Sequence, residues 1–539
     1  MPTQAATATN GRQEAARLYQ ELEERLLARD QEGGSRIYCE LLRRGRPLPE
    51  IMAEAVRIHA PYTHVPYHQR IDRGFVRFVN NDHCLLSTRA SLFLPAYVAP
   101  ELAYMPMAQT VWYVPTALDP WSQLLGEAPG HYGRRAWKGG KTPPFPMPTA
   151  HRPDDAPLHL DGPYEDRLDH WLTLVQQGEV TEAYRVFLGL FEERERRRDL
   201  FAQLAFAGLI DVQDRMLYNR SYTTGHKSYR ARATIQLGTA IGWDDARDVI
   251  YAGVLDMAVG PRWHANYEMA CQVSWIHLAD DAHRNQSSLD PSPSEVCEER
   301  LLANREPLTP KEAHELIEAL TQAQEPAYID AITALLLAGK GPRHILDTMQ
   351  LAIADLLLET GDGRNFSMPQ HCFQYSNTLG WFFDTFEHPH RLKLLYVAGS
   401  FINQTAHWVR VTPGNGKADT RPPQGAAAMS AQEILSQLDA AQVAMKPPES
   451  VAWTRAYLAG GHDRGRLVGT LALSALKHGN DTHNQEIALC LLDDYRRNPH
   501  GDREQLLLAC AQHTAGHQKY GDTLEPYRRY LEALGLSES

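Results

Sequence analysis

The sequence contains no Cys-x-x-Cys pair; its seven cysteines (Cys39, Cys84, Cys271, Cys297, Cys372, Cys490 and Cys510) are scattered and odd in number. A zinc ribbon or iron–sulfur cluster held by this chain alone is therefore not expected, and isolated thiols suit a reducing compartment. No stretch approaches the roughly 20 apolar residues that span a bilayer. The opening "MPTQAATATNGRQEAARLYQELEERLLARD" also has no apolar core of signal-peptide length. These absences lead to the expectation of a cytoplasmic protein with no membrane segment. A basic surplus is missing as well: 54 Lys and Arg against 66 Asp and Glu leave a formal charge of −12. That balance argues against a general nucleic-acid binder and against anionic membrane surfaces. There is no phosphate loop, no Gly-x-Gly-x-x-Gly fingerprint and no Gly-x-Ser-x-Gly elbow. Period-2 alternation is scarce, and the best strand candidate is "QTVWYVPTAL" (109–118).

What is present is a helical chain rich in histidine. Hydrophobic residues make up 43% and charged residues 22%, close to the globular average, and 539 residues suffice for two to four domains or one extended array. The 24 histidines are about twice the number this length would ordinarily carry, and they gather near helix boundaries.

The sequence also resembles itself. "QHCFQYSNTLGWFFDTFEHPHRLKLLYVAGSFINQTAH" (370–407) and "THNQEIALCLLDDYRRNPHGDREQLLLACAQHTAGH" (482–517) each open with a histidine, His371 or His483, and continue as a helix-period apolar run. Each then breaks at a Pro-containing turn and ends in a second helix closed by His407 or His517. Upstream, "ALLLAGKGPRHILDTMQLAIADLL", "RAYLAGGHDRGRLVGTLALSALKHG" and "ELLRRGRPLPEIMAEAVRIHA" each show a short apolar helix, a Gly-containing turn and a longer helix. A divergent copy runs through "RRDLFAQLAFAGLIDVQDRM" with His226 in the equivalent place, and the first copy's second half begins at His68. Such units cannot cover their apolar faces alone and must stack. The expected fold is all-α: stacked helical-hairpin repeats, about four units, with a long irregular aromatic and Pro-rich insertion.

The expected divisions follow from composition. Residues 1–95 form an N-terminal unit, and 96–165, dense in Pro, Gly and aromatics, an insertion or lid. A second unit covers 166–284, a linker 285–310, a third unit 311–411, a second linker 412–449 and a C-terminal unit 450–539.

The repeated histidines His68, His226, His371 and His483 stand where a first-turn imidazole can ligate a metal or act as a base, or else pack against a neighbouring carbonyl. "WHANYEMA" puts His264 and Glu268 at i and i+4, within reach of one ion. "RIHAPYTHVPYH" adds His59 and His64 near His68, and His407 closes the third unit as His264 closes the second. The metal-ligand candidates are thus His68, His226, His264, Glu268, His371 and His407; His226, His371 and His483 are the catalytic candidates.

The pattern "HILDTMQLAIADLL … QHCFQYSNTLGWFF … HPHRLKLLYVAGSFIN" resembles the His-containing helical region of questin-oxidase-like proteins, and of bacterial proteins that carry such a region beside a Rieske domain. The resemblance covers roughly residues 35–95 and 165–520. It implies an oxygenase acting on an aromatic or quinone-like substrate, with His226, His371 and His483 matching the repeated motif and His68 matching it less well. A Rieske centre needs both Cys-x-His and Cys-x-x-His, and no Cys-x-His occurs here, so any such cluster would come from a partner.

The leading expectation is therefore an oxidoreductase of the monooxygenase kind, iron-dependent, with a small organic substrate and a redox partner protein. A non-catalytic helical scaffold binding a protein partner is one alternative. A metal-dependent hydrolase using the same ligands is the other, since zinc and iron accept overlapping donors.

Overall fold

A computed structural model of the protein describes residues 3–62, 71–72, 75–79, 83–118, 120–124, 150, 152, 155–212, 225–258, 265–278, 298–361, 367–477, 482–516 and 524–537. Among the described residues the fold is all-α apart from one small antiparallel sheet, in which Phe75–Val79 pairs with Ile71–Asp72 on one side and with Pro120–Leu124 on the other. No helix of the described residues is long and apolar enough to cross a membrane.

Four helices organise the rest: His83–Phe93, His226–Ile241, Ser367–Thr385 and Thr482–Arg497. The His83 helix packs against the His226 and His483 helices, and the His371 helix packs against the same two, so the four close a ring. Each is flanked by its chain neighbours. Arg197–Ile210 and Arg247–Val254 cover the His226 helix; Pro342–Leu358 and Lys393–Val411 cover the His371 helix. Arg464–Lys477 and Glu504–Gly516 cover the His483 helix, and Leu48–His59 and Met105–Ala117 the His83 helix.

The ring helices run in the same direction. Contacts within three turns of the histidines join them: Arg232 donates to Asn377 Oδ1, the two residues standing equally far past His226 and His371, while Arg89 Nη1 donates to Glu486 Oε2 at 2.7 Å and Asn377 Nδ2 donates to Asp494 Oδ1 at 2.8 Å. Surrounded by other helices, the ring helices are enclosed along most of their first halves and reach solvent mainly toward their C-terminal ends. Residues Lys227 to Ile235 are buried without interruption, as are His83 to Ser91. Polar side chains at such positions must find partners inside. Arg89 and Glu486 are 3% and 1% exposed, and removing either member of such a pair costs about 3–5 kcal/mol. Burial pushes the Glu486 carboxyl up, and burial together with Arg89 draws the Arg232 guanidinium down to about 9.

Three expectations about local structure change. Residues 109–118 lie almost wholly within the helix Met105–Ala117 rather than in a strand, because Val111, Trp112, Tyr113 and Val114 are all buried and a run buried on every side carries no periodicity. That helix also shortens the irregular insertion, of which 125–149 lie outside the described residues. The linker 412–449 likewise contains the helix Ala431–Val443, started by a capping box between Ser430 and Glu433.

Candidate metal centre

Each ring helix carries a histidine within its first five residues, and the four meet at one end of the ring. One ring nitrogen each of His83, His226 and His483 lies within 4.8 Å of the others, and the Nε2 atoms of His371 and His483 are 3.2 Å apart. Ring centroids follow the order of the helices: His83 to His226 5.4 Å, His226 to His371 4.8 Å, His371 to His483 5.0 Å and His483 to His83 4.5 Å. His83, His371 and His483 are buried, while His226 is partly exposed and opens the cluster to solvent.

Local structure explains the convergence. Gly225 takes φ of 85° immediately before His226, and a Cβ there would stand 2.7 Å from the Tyr229 hydroxyl. Glycine therefore lets the chain turn into the helix while Tyr229, one turn on, donates to the carbonyl of His371 and ties two ring helices together. The buried ion pair of Lys227 with Asp211 secures the same turn. Beside His83, Tyr113 Oη lies 3.1 Å from Nδ1. A hydroxyl can donate or accept, so this contact permits the tautomer in which Nδ1–H donates to Tyr113 and Nε2 keeps its lone pair.

The donor set fits a metal ion. Nitrogens bonded to an ion at about 2.1 Å stand roughly 3.0–3.4 Å apart. The 3.2 Å separation of His371 and His483 falls in that range, and one nitrogen each of His83, His226 and His483 lies within 4.8 Å of the others. Two N–H donors cannot face each other at that distance, so at most one proton lies between these two rings. The metal-capable group among the described residues contains no carboxylate, unlike the two-histidine, one-carboxylate arrangement of many non-haem iron sites. The positive ends of four helix dipoles also meet here, a field that attracts negative charge. It opposes a bare cation and favours one that arrives with an anionic co-ligand.

No family model, curated protein or solved structure matches this chain. The site is accordingly read from its geometry.

The structure brings together His226, His371 and His483 from the sequence-derived set. His407 is exposed on the outer helix Lys393–Val411, and Glu268 is exposed on the helix Ala265–Val273 packed against it, so neither belongs to the cluster. His68 and His264 lie outside the described residues. His83 takes the place expected for His68. Its signal is the dipeptide His-Cys, which stands at or near the start of both the His83 and His371 helices, together with a polar residue six positions on in three of the four: Arg89, Arg232 and Asn377. Tyr113 had no comparable signal. Burial pushes the Cys39 thiol up to about 11 and the Cys84 thiol up to about 12, which favours their protonated forms at neutral pH. The chain's single Cys-x-x-His, Cys510 to His513, sits within one buried helix and has no Cys-x-His counterpart.

Proposed function

We propose that the protein is a metal-dependent oxidoreductase, oxygenase-like, that binds one iron ion through His83, His226, His371 and His483 and oxidises a small organic substrate of aromatic or quinone-like character. The observation that carries this reading is the meeting of four histidines, one from each ring helix, at the same end of a closed ring. Structural histidines pair individually with whatever acceptor lies nearby; four that face one another form a ligand set. Iron held there would supply open coordination positions for dioxygen.

The chain's own groups have definable tasks. His226, the most accessible of the four, stands at the substrate side, while Tyr113 holds the His83 ring and Tyr229 holds the backbone of His371. The field of the helix termini favours an acidic substrate bound as its anion, a phenolate being the natural aromatic example. The resemblance to questin-oxidase-like proteins supports the same substrate class. An oxygenation that places one atom of dioxygen in the substrate and reduces the other to water needs two further electrons. This requirement is the reason for assigning a redox partner protein.

The test is oxygen consumption by protein loaded anaerobically with Fe(II), on a panel of hydroxylated aromatics and quinones. Substrate-dependent uptake that disappears in His371→Ala is the expected result. Iron binding without uptake on any member, accompanied by ester or amide hydrolysis in zinc-loaded protein, would replace the oxygenase with the hydrolase.

A further inference from the structure

His513 stands one layer outside the cluster, on the helix Glu504–Gly516, and its ring is 1% exposed. Its Nε2 lies 3.3 Å from the backbone carbonyl of Asn484, and its Nδ1 lies 2.6 Å from Nε2 of Gln370. A carbonyl oxygen only accepts, so the ring proton of His513 is on Nε2, and Nδ1 accepts from the Gln370 amide. Gln370 immediately precedes His371, and Asn484 immediately follows His483. One imidazole therefore joins the first turns of the two helices whose histidines approach most closely.

The platform beneath it is anchored. Gln512 Nε2 donates to the carbonyl of Leu357 at 2.9 Å and to Thr360 Oγ1 at 3.1 Å, and Gln442 Nε2 donates to Thr514 Oγ1 at 3.1 Å. The residues on either side of His513 are thus held to other helices, which leaves its ring little freedom to follow a displaced partner. Both ring nitrogens are engaged by Gln370 and Asn484, which disqualifies His513 as a fifth ligand in this arrangement.

We propose that His513 is a positioning residue that sets the separation of His371 and His483, and so presets half of the ligand set before a metal arrives. The proposal rests on the reading of the cluster as a metal centre. Outer groups that orient ligands typically change metal affinity by about 10- to 100-fold. A group that only supports the fold would change thermal stability and leave affinity per folded molecule alone.

The experiment uses the full chain and Co(II), whose visible spectrum reports coordination geometry, with affinity measured by competition against a chromophoric chelator. Two variants are compared: His513→Phe, which fills the space without hydrogen bonds, and Gln370→Met, which removes one donor and keeps the ring. Each is expected to weaken Co(II) by about 10-fold or more and to alter its visible spectrum. The double variant is expected to lose no more than the worse single one, because both act through one bond. His513→Gln, which retains a donor toward Asn484, recovers part of the loss. Should His513→Phe fail to fold, Gln370→Met carries the test. Unchanged affinity and spectrum in the folded variants, with wild type binding Co(II), would overturn the positioning role alone; absence of Co(II) binding in wild type would overturn the metal centre and this inference together.

Discussion

Two groups of histidines occupy opposite ends of the Ser367–Thr385 helix, and they are built differently. At its start, His371 meets His83, His226 and His483 ring to ring. Just past its end, His388 and His390 form a corner in which each imidazole has a protein partner of another kind. His388 Nε2–H donates to Gln203 Oε1 at 3.0 Å, and its Nδ1 accepts from the backbone N–H of His390 at 3.2 Å. Phe206 stacks on that ring at 4.0 Å, and Lys393 Nζ donates to His390 Nδ1 at 3.0 Å while pairing with the buried Glu298 at 2.9 Å. Burial, reinforced by nearby cations, pulls His388 down to about 3 and His390 to about 4. A histidine partly enclosed by the fold is thus no sign of function. What distinguishes the ring end is that four imidazoles, each from a different helix, converge on one another, whereas His388 and His390 are a single pair, 5.7 Å apart, on one turn.

The widest separation between the two regions comes from exchanging their histidines for alanine. His226→Ala should weaken metal binding more than 100-fold with little change in thermal midpoint, because the ring is partly exposed and fills no core. His388→Ala should leave metal affinity alone and cost about 2 kcal/mol, the loss of a partly buried ring stacked on Phe206 and its hydrogen bond. Chelator competition and urea unfolding on the same preparations read both effects. If His388→Ala lost metal as well, the two ends would be one system.

Acid sharpens the contrast. The folded-state pKa of His390 lies below its unfolded value near 6.5, so the unfolded chain takes up protons that the folded chain refuses. Stability is full above about 6.5 and is lost as the pH falls toward about 4. From pH 7.5 to pH 5 this one group accounts for about 2 kcal/mol. His390→Gln should therefore lose about that much less than wild type over the same interval, measured by urea midpoints at the two values. Equal losses would show that the corner does not govern acid lability.

A smaller effect is expected at Tyr113. Tyr113→Phe removes the group facing His83 Nδ1 and should weaken metal by about 10-fold while the fold is retained. Smallest of all, Glu268→Ala and His407→Ala should change metal affinity less than about twofold and stability by no more than about 0.5 kcal/mol, as befits exposed positions.

How much of this was legible in the sequence differs between fold and site. The all-α class followed from helix-period apolar runs broken at Gly and Pro, as at "LAGKGP" and "FEHPH". His226, His371 and His483 stood out because each begins a helix. His83 has no such repeat signal: the internal repeat places the first unit's histidine at His68, fifteen positions earlier. The ring helices were the hardest to read: Arg89, Arg232, Asn377, Glu486 and Asp494 are typical of solvated faces, and only the paired arrangement of the ring shows why they lie inside. Glu268 and His407 illustrate the converse, correct spacing on helices whose orientation no local pattern records.

The most direct measurement is the metal content of purified protein after anaerobic reconstitution, made on wild type and on His83→Ala, His226→Ala, His371→Ala, His483→Ala and His407→Ala. One iron per chain in wild type and in His407→Ala, lost in each of the other four folded variants, is the predicted result. A wild type that takes up no ion, or ring-end variants that keep theirs, would contradict the account.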